Sequence, residues 1–121
     1  MNTLALALVS ICTSVAAQFS FRHGMTGLKA SMASGEHTFW QTLFAIAGNP
    51  FVLAGFALYG AGAVVWLKVL SEWEVSKAYP LVGLGFVLSA AIGFLLGETV
   101  SVTRILGAAM ICMGVLVIGR S

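Results

Sequence analysis

The run of residues 78–97 constrains this chain most, because it carries no charge and is bounded by Lys77 and Glu98. A helix of about 20 residues rises roughly 30 Å, which is the thickness of the hydrocarbon core of a bilayer. Pro80 falls in the first turn of this predicted helix, where its missing N–H breaks no helical hydrogen bond. Glycines recur along the run and would let a neighbouring helix approach closely. The stretch therefore predicts a transmembrane helix.

The composition of the whole chain also places it in a membrane. Of its 121 residues, 60% are hydrophobic and only 8% are charged, and the mean hydropathy is +1.02. Soluble domains carry about 25% charged residues, so an ordinary soluble fold is excluded. Six basic and four acidic residues give a net charge of +2, which is too weak for the basic surface of a nucleic-acid-binding protein. We expect no nucleic-acid partner.

Apolar runs before and after this stretch predict a single all-α membrane domain over residues 1–121. Its four transmembrane helices are expected at about 3–21, 51–70, 78–97 and 100–119. The first run lacks a positively charged start and is followed by Arg22, so we interpret it as a retained helix and not as a signal peptide. Basic residues divide equally between the two sides, so the positive-inside rule gives no orientation. One side has Lys68, Lys77 and Arg120, and the other has Arg22, Lys29 and Arg104.

The segment from Arg22 to Asn49 is richer in Gly, Ser, Met and Thr and predicts a long loop outside the hydrocarbon. Its last part, residues 38–48, has aromatic and aliphatic side chains at helical spacing but is too short to cross a bilayer. We predict a helix that lies in the membrane interface there. The alternative is that these residues form a first turn of the second span, broken at Asn49 and Pro50.

One face of the first span is polar. Ser10, Ser14 and Gln18 recur every four residues, and Arg22 continues the same line at the membrane boundary. The two serines could bond to their own helix or to a neighbouring one and so serve packing. The Gln18 amide has more donors and acceptors than its own backbone can satisfy, which indicates a polar cavity.

Polar residues at the ends of the third and fourth spans allow two interpretations. Lys77 and Tyr79 could be ordinary interfacial anchors, or they could bind a phosphate and a sugar hydroxyl. Glu98 could be a solvated carboxylate, or it could form a structural ion pair with Arg104 that holds the two spans together.

Gly107 and Gly114 share one face of the fourth span, because they lie seven residues apart. Small residues at this spacing predict a dimer contact, although they can equally serve packing within one subunit.

The sequence contains no recognisable catalytic constellation. It has no Asp, both histidines lie between the first two spans, and neither a zinc-protease motif nor a phosphate-binding loop occurs. Cys12 and Cys112 lie inside apolar runs, which favours small core residues over disulfide partners or zinc ligands. We therefore expect no enzyme activity, no catalytic residue, no metal and no cofactor.

Three segments resemble the four-helix, small-multidrug-resistance-like members of the drug/metabolite transporter superfamily. They are SICTSVAAQFSFRHG in the first span, KAYPLVGLGFV at the start of the third, and the closing GETVSVTRILGAAMICMGVLVIG. Within that superfamily, Gln18 and the AYP at residues 78–80 are most similar to the small subunits of the flippase for undecaprenyl phosphate-linked 4-amino-4-deoxy-arabinose. The resemblance covers nearly the whole chain outside the segment from 22 to 49.

This resemblance implies a homodimer or a heterodimer of related four-helix subunits in the bacterial inner membrane. The related small multidrug resistance pumps exchange protons for cationic drugs through a glutamate in their first helix. Here Ser10 or Ser14 takes that place, and no acidic residue precedes Glu36. Without a titrating group this exchange is disfavoured, and an anionic lipid-linked sugar phosphate is the better substrate.

The leading hypothesis is a flippase subunit for a polyprenyl phosphate-linked sugar or a similar anionic lipid. The alternative is an exporter of a small metabolite or cationic drug, of the small multidrug resistance type. A third hypothesis is a membrane partner of a glycosyltransferase that transports nothing. For the leading hypothesis, the predicted substrate-binding residues are Ser10, Ser14, Gln18, Arg22, Trp66, Lys77, Tyr79 and Arg104.

Overall fold

The computed structural model describes residues 2–33, 35 and 37–121, and all regular secondary structure in these ranges is helical. Within them, four helical runs are long and apolar enough to cross a membrane. The predicted all-α architecture is confirmed, and the chain is a multi-pass membrane protein. In chain order the elements are α1 (Thr3–Ser31), α2 (Phe39–Gly48), α3 (Pro50–Glu72), α4 (Val75–Ala78), a 3-10 turn (Tyr79–Val82), α5 (Gly83–Leu95) and α6 (Val102–Gly119).

The first helix is longer than the sequence indicates. We expected a loop from Arg22, but α1 continues to Ser31, so this prediction is wrong for residues 22–31. The segment contains no proline, and Gly24 is buried against the start of α3. The Nδ2 group of Asn49 donates a hydrogen bond to the Gly24 carbonyl at 3.2 Å. Contact with the start of α3 thus favours helix around Gly24, where the local composition suggested a loop.

Helices α1 and α3 pack closely because glycines of α3 face α1. A Cβ atom on Gly55 would lie 2.7 Å from ring atoms of Phe21 and 3.1 Å from the carbonyl oxygen of Ala17. At Gly62 the nearest atom would be the carbonyl oxygen of Ser10, at 3.3 Å. Such spacing lets the two backbones approach as small residues do in other membrane helix pairs.

The short helix predicted at residues 38–48 is confirmed as a separate element, α2. Thr38 and Gln41 form a reciprocal capping box at its start, and the extended backbone of Asn49 separates it from α3. These residues are therefore not the first turn of α3. The side chains of Phe39, Trp40 and Phe44 are 65% to 75% exposed, which suits the membrane interface. The position of α2 in that interface stays a prediction.

The helical run that covers most of the charge-free stretch extends from Val75 to Leu95 and so begins before Lys77, which makes the prediction that Pro80 lies in its first turn wrong. Proline has no N–H for the carbonyl four residues earlier, and its ring crowds that carbonyl. The chain adapts by tightening into the 3-10 turn between α4 and α5.

The end of α5 is a Schellman motif. Gly97 has a left-handed φ of 93°, and the backbone N–H of Glu98 donates to the carbonyl of Gly93 at 2.8 Å. The N–H of Gly97 donates to the carbonyl of Phe94 at 3.1 Å. A residue with a side chain would be strained at Gly97, so the chain reverses there.

The last helix lies at the edge of the bundle. α6 packs against α5 and the 3-10 turn, and none of its residues is buried. Ser101 caps its start by accepting a hydrogen bond from the backbone N–H of Arg104 at 3.2 Å. Much of the surface of α6 is therefore left for lipid or for another helix.

Candidate functional site

Two cavities lie one after the other along the polar face of α1. Ser10 and Ser14 line the first, and Gln18 and Arg22 line the second. Ser14 and Gln18 are one turn apart, about 6 Å along the helix axis. Because α5 contributes residues to both cavities, the two cavities follow one groove between α1 and α5. Together they are lined by seven of the eight predicted substrate-binding residues, all except Lys77.

The aromatic cavity, as we call the first one, has a volume of about 220 Å³. Glycines on its floor let α1, α3 and α5 converge, and a Cβ on Gly85 would already lie 3.3 Å from the side chain of Ile11. Aromatic faces and hydroxyl groups together suit a sugar ring, which has apolar C–H faces and polar edges. The polar and aromatic lining residues are Ser10, Ser14, Tyr59, Trp66 and Tyr79.

The two serines of this cavity differ in what they already bind. Ser10 is 6% exposed, and its hydroxyl donates to the carbonyl of Gly62 at 2.7 Å, so it helps to hold α1 to α3. Ser14 is half-buried and forms no side-chain hydrogen bond to another described residue. Its hydroxyl is therefore the freer of the two for a ligand. Tyr59 was not singled out from the sequence, because an aromatic residue inside an apolar run carries no distinguishing pattern.

The charged cavity, the second of the two, has a volume of about 440 Å³. Two guanidinium groups, a carboxylate, an amide and a hydroxyl share its wall, with Phe19 and Phe86 as apolar neighbours. Arginine forks bind phosphate oxygens in pairs, so this cavity suits a phosphate. The polar lining residues are Gln18, Arg22, Ser89, Glu98 and Arg104.

Ser89 was not predicted from the sequence and is brought into this cavity by α5. Its hydroxyl donates to the carbonyl of Gly85 at 2.8 Å, which is a local bond within the helix. Ser89 lies four residues after Gly85, so both residues are on the same face of α5. This spacing is the sequence signal that could have predicted the position of Ser89 in the groove.

The predicted ion pair between Glu98 and Arg104 is not formed. Arg104 instead donates from Nη1 to the backbone carbonyl of Thr99 at 3.0 Å. The Schellman turn folds Glu98 back over Gly93, while the Ser101 cap fixes Arg104 in the first turn of α6. Within the described ranges, the ion pair that does form joins Lys68 to Glu72 at 3.0 Å, the proximity expected from their spacing.

Lys77 lies apart from both cavities, so the structure does not bring it together with Gln18 and Tyr79. Its ammonium group sits 4.7 Å from the centre of the Trp73 ring, in a cation–π contact. It lines an apolar groove between the N-terminal part of α1 and the C-terminal part of α6, beside Arg120. This is the expected behaviour of an interfacial anchor, one of the two interpretations left open.

The cysteines are both free thiols, and Cys12 is exposed on α1 while Cys112 is half-buried. The prediction of a core position is therefore wrong for Cys12. It lies two residues after Ser10, which turns it out of the packed face of α1.

Comparison with known proteins finds relatives along much of this chain. A protein from Pseudomonas savastanoi pv. phaseolicola is 37% identical over 98 residues, which is 80% of this chain and 85% of that protein. One from Pseudomonas syringae pv. syringae is 42% identical over 65 residues, 53% of this chain and 60% of that protein. One from Proteus mirabilis is 33% identical over 66 residues, 54% of this chain and 58% of that protein.

All three relatives bear the name "Probable 4-amino-4-deoxy-L-arabinose-phosphoundecaprenol flippase subunit ArnE". No family model matches the chain, and no solved structure gives a significant match. The first of these alignments spans most of both proteins, at an identity that indicates common descent. The chain therefore belongs to the family of ArnE flippase subunits.

Proposed function

We propose that the chain is one subunit of a flippase that moves a polyprenyl phosphate-linked amino sugar across the bacterial inner membrane. The observation that carries this proposal is the match to relatives named as flippase subunits for 4-amino-4-deoxy-L-arabinose-phosphoundecaprenol. The two adjoining cavities along α1 support it, because their linings suit the two polar parts of such a lipid.

In this proposal the phosphate and the sugar occupy neighbouring positions. Arg22 and Arg104 hold the phosphate in the charged cavity, with Gln18 as a further hydrogen-bond donor. Trp66 and Tyr79 pack against the sugar in the aromatic cavity. The prenyl chain stays in the lipid beside the bundle, since it gains nothing from leaving an apolar solvent.

A second four-helix subunit, identical or related, completes the path. The two cavities are open at the side of the bundle and α6 has no buried residue, so one subunit does not shield a polar head from lipid. Gly107 and Gly114 have no atom within 4 Å of where a Cβ would lie, and they are free to meet a partner. We propose that this face of α6 forms the dimer contact.

The export of cationic drugs is not favoured. Residues 3–31 of α1 contain no Asp or Glu, so the helix offers no carboxylate that could exchange a proton for a cation. The relatives' names likewise describe a lipid-linked sugar and not a soluble drug.

A binding experiment on the intact chain in lipid nanodiscs tests the proposal. The amino-sugar phospholipid with a shortened prenyl chain should bind, and both Arg22→Ala and Arg104→Ala should weaken binding about tenfold or more, since each removes a charge-assisted contact to the phosphate. Gln18→Ala should weaken it less. Lys68→Ala serves as the matched control, because Lys68 pairs with Glu72 outside both cavities. Equal binding by the unchanged protein and both arginine variants would contradict the proposal.

A further inference from the structure

The charged cavity contains an acidic group that phosphate binding does not need. Glu98 lines the cavity together with Arg22 and Arg104. Its carboxylate takes no part in the hydrogen bonds and ion pairs found among the described residues. A site built only for an anion would be weakened by a carboxylate in its wall, because the carboxylate and a bound phosphate repel each other. This arrangement calls for a ligand that carries a positive group as well.

The backbone holds Glu98 at this wall. The Schellman motif at Gly97 reverses the chain and bonds the Glu98 N–H to the carbonyl of Gly93 at 2.8 Å. The Glu98 side chain then lies over Gly93, and a Cβ atom there would come within 2.9 Å of its Oε2 atom. Gly93 thus leaves the space that the carboxylate occupies. The position of the acidic group follows from two glycines and not from a partner side chain.

We propose that Glu98 is a specificity-determining residue that binds the protonated amine of the sugar. The charged cavity then binds both charged groups of the head, with the phosphate on Arg22 and Arg104 and the ammonium on Glu98, and the sugar ring between them faces Trp66 and Tyr79 of the adjoining aromatic cavity. This inference rests on the proposed function and adds to it the group that selects an amino sugar over a neutral one. A carboxylate-to-ammonium hydrogen bond is charge-assisted, and blocking the amine as an amide removes the charge while keeping the sugar ring.

The test compares two lipids on the full chain in nanodiscs. They are a farnesyl phosphate-linked 4-amino-4-deoxy-L-arabinose and the same lipid with its amine acetylated. The unchanged protein should prefer the free amine by about tenfold, and Glu98→Gln should abolish this preference by weakening the binding of the amino lipid. The control variant is Glu74→Gln, since Glu74 is exposed in the link before α4 and lines neither cavity. It should keep the preference.

A second variant displaces the carboxylate without removing it. In Gly93→Ala the new methyl carbon would lie 2.9 Å from the Glu98 Oε2 atom, which is closer than real Cβ contacts, so the flexible carboxylate has to move. This variant should lose most of the preference for the free amine while its unfolding temperature stays near that of the unchanged protein. If Glu98→Gln does not fold, the lipid preference of Gly93→Ala tests the role of Glu98 instead.

The outcomes separate this inference from the proposed function. A preference that survives both variants, or equal binding of both lipids by the unchanged protein, would overturn the assignment of Glu98 and leave the flippase proposal standing. Failure of the unchanged protein to bind either lipid would overturn both.

Discussion

At the scale of single residues, the bundle depends on positions where a side chain is absent. Gly55 and Gly62 let α3 lie against α1, and Gly85 lets α5 approach Ile11 and Val15 of α1. In both helix pairs, α1 with α3 and α1 with α5, backbone and side-chain atoms come within van der Waals range. Such contacts stabilise helix pairs in lipid. Gly60, by contrast, faces outward, and a Cβ atom added there would have no neighbour within 4 Å.

Gly55→Ala should destabilise the protein. The added methyl group would lie 2.7 Å from the Phe21 ring and 3.1 Å from the Ala17 carbonyl, and that carbonyl belongs to a helix backbone that cannot easily move. Overpacking of this kind costs about 1 to 3 kcal/mol. Unfolding in mixed micelles measures the loss. Gly60→Ala is the matched control and should be neutral or stabilising by up to about 1 kcal/mol, because alanine favours helix. Equal stability of the two variants would refute the close packing of α1 against α3.

At the scale of elements, Asn49 joins three helices at one point. Its Oδ1 atom accepts hydrogen bonds from the backbone N–H groups of Phe51 and Val52 at 3.0 and 3.2 Å, which caps α3. Its Nδ2 atom donates to Gly24 of α1, and its extended backbone ends α2. This one residue thus ends α2, caps the start of α3 and bonds to α1 beyond Arg22.

Asn49→Ala should lower the free energy of unfolding by about 1 to 2 kcal/mol, the usual loss for a removed helix cap. Asn49→Asp keeps the acceptor that caps α3 but loses the donor to Gly24, so it should cost less than the alanine variant. Hydrogen exchange at the Phe51 amide distinguishes the two roles, because that amide should exchange faster in Asn49→Ala than in Asn49→Asp. Identical exchange in both variants would argue against the cap.

The elements also show what the sequence can and cannot predict. Hydropathy identified the four spans and the short helix at 38–48, because the length of an apolar run shows whether a segment can cross the hydrocarbon of a bilayer. It misplaced the end of α1, because the helix continues past its apolar part: Gly24 packs against the start of α3, and residues 25–31 stay helical although most of them are exposed. The polar periodicity of Ser10, Ser14 and Gln18 located the groove face. For Glu98 the sequence left open both a solvated carboxylate and an ion pair with Arg104, because the turn at Gly97 that directs this residue is a matter of backbone geometry.

At the scale of the whole molecule, α6 determines how the subunit meets its surroundings. Met110, Met113 and Leu116 are 66% to 72% exposed, and α6 contributes no buried residue to the bundle. Such a surface either meets lipid or packs against a second subunit. The open positions Gly107 and Gly114 favour the second subunit in the proposed dimer.

Replacing both Gly107 and Gly114 by leucine should weaken dimer formation about tenfold or more, because the larger side chains keep the two α6 helices apart. Photobleaching of single labelled proteins in liposomes counts the subunits over a range of protein-to-lipid ratios. Gly60→Leu is the matched control, since it adds the same bulk to an open position on α3. An unchanged dimer fraction in the double variant would show that the dimer contact does not lie on this face of α6.

The length of α1 has a consequence for the depth of the two cavities. Its 29 residues rise about 44 Å, well beyond the hydrocarbon thickness of about 30 Å. Arg22 lies roughly 28 Å along the axis from Thr3, so it reaches the level of the lipid headgroups when the start of α1 lies at the opposite surface. A phosphate held there keeps part of its hydration shell, while the aromatic cavity lies deeper in the hydrocarbon. As the lipid head enters the bundle, the sugar would then lose its water first and the phosphate last.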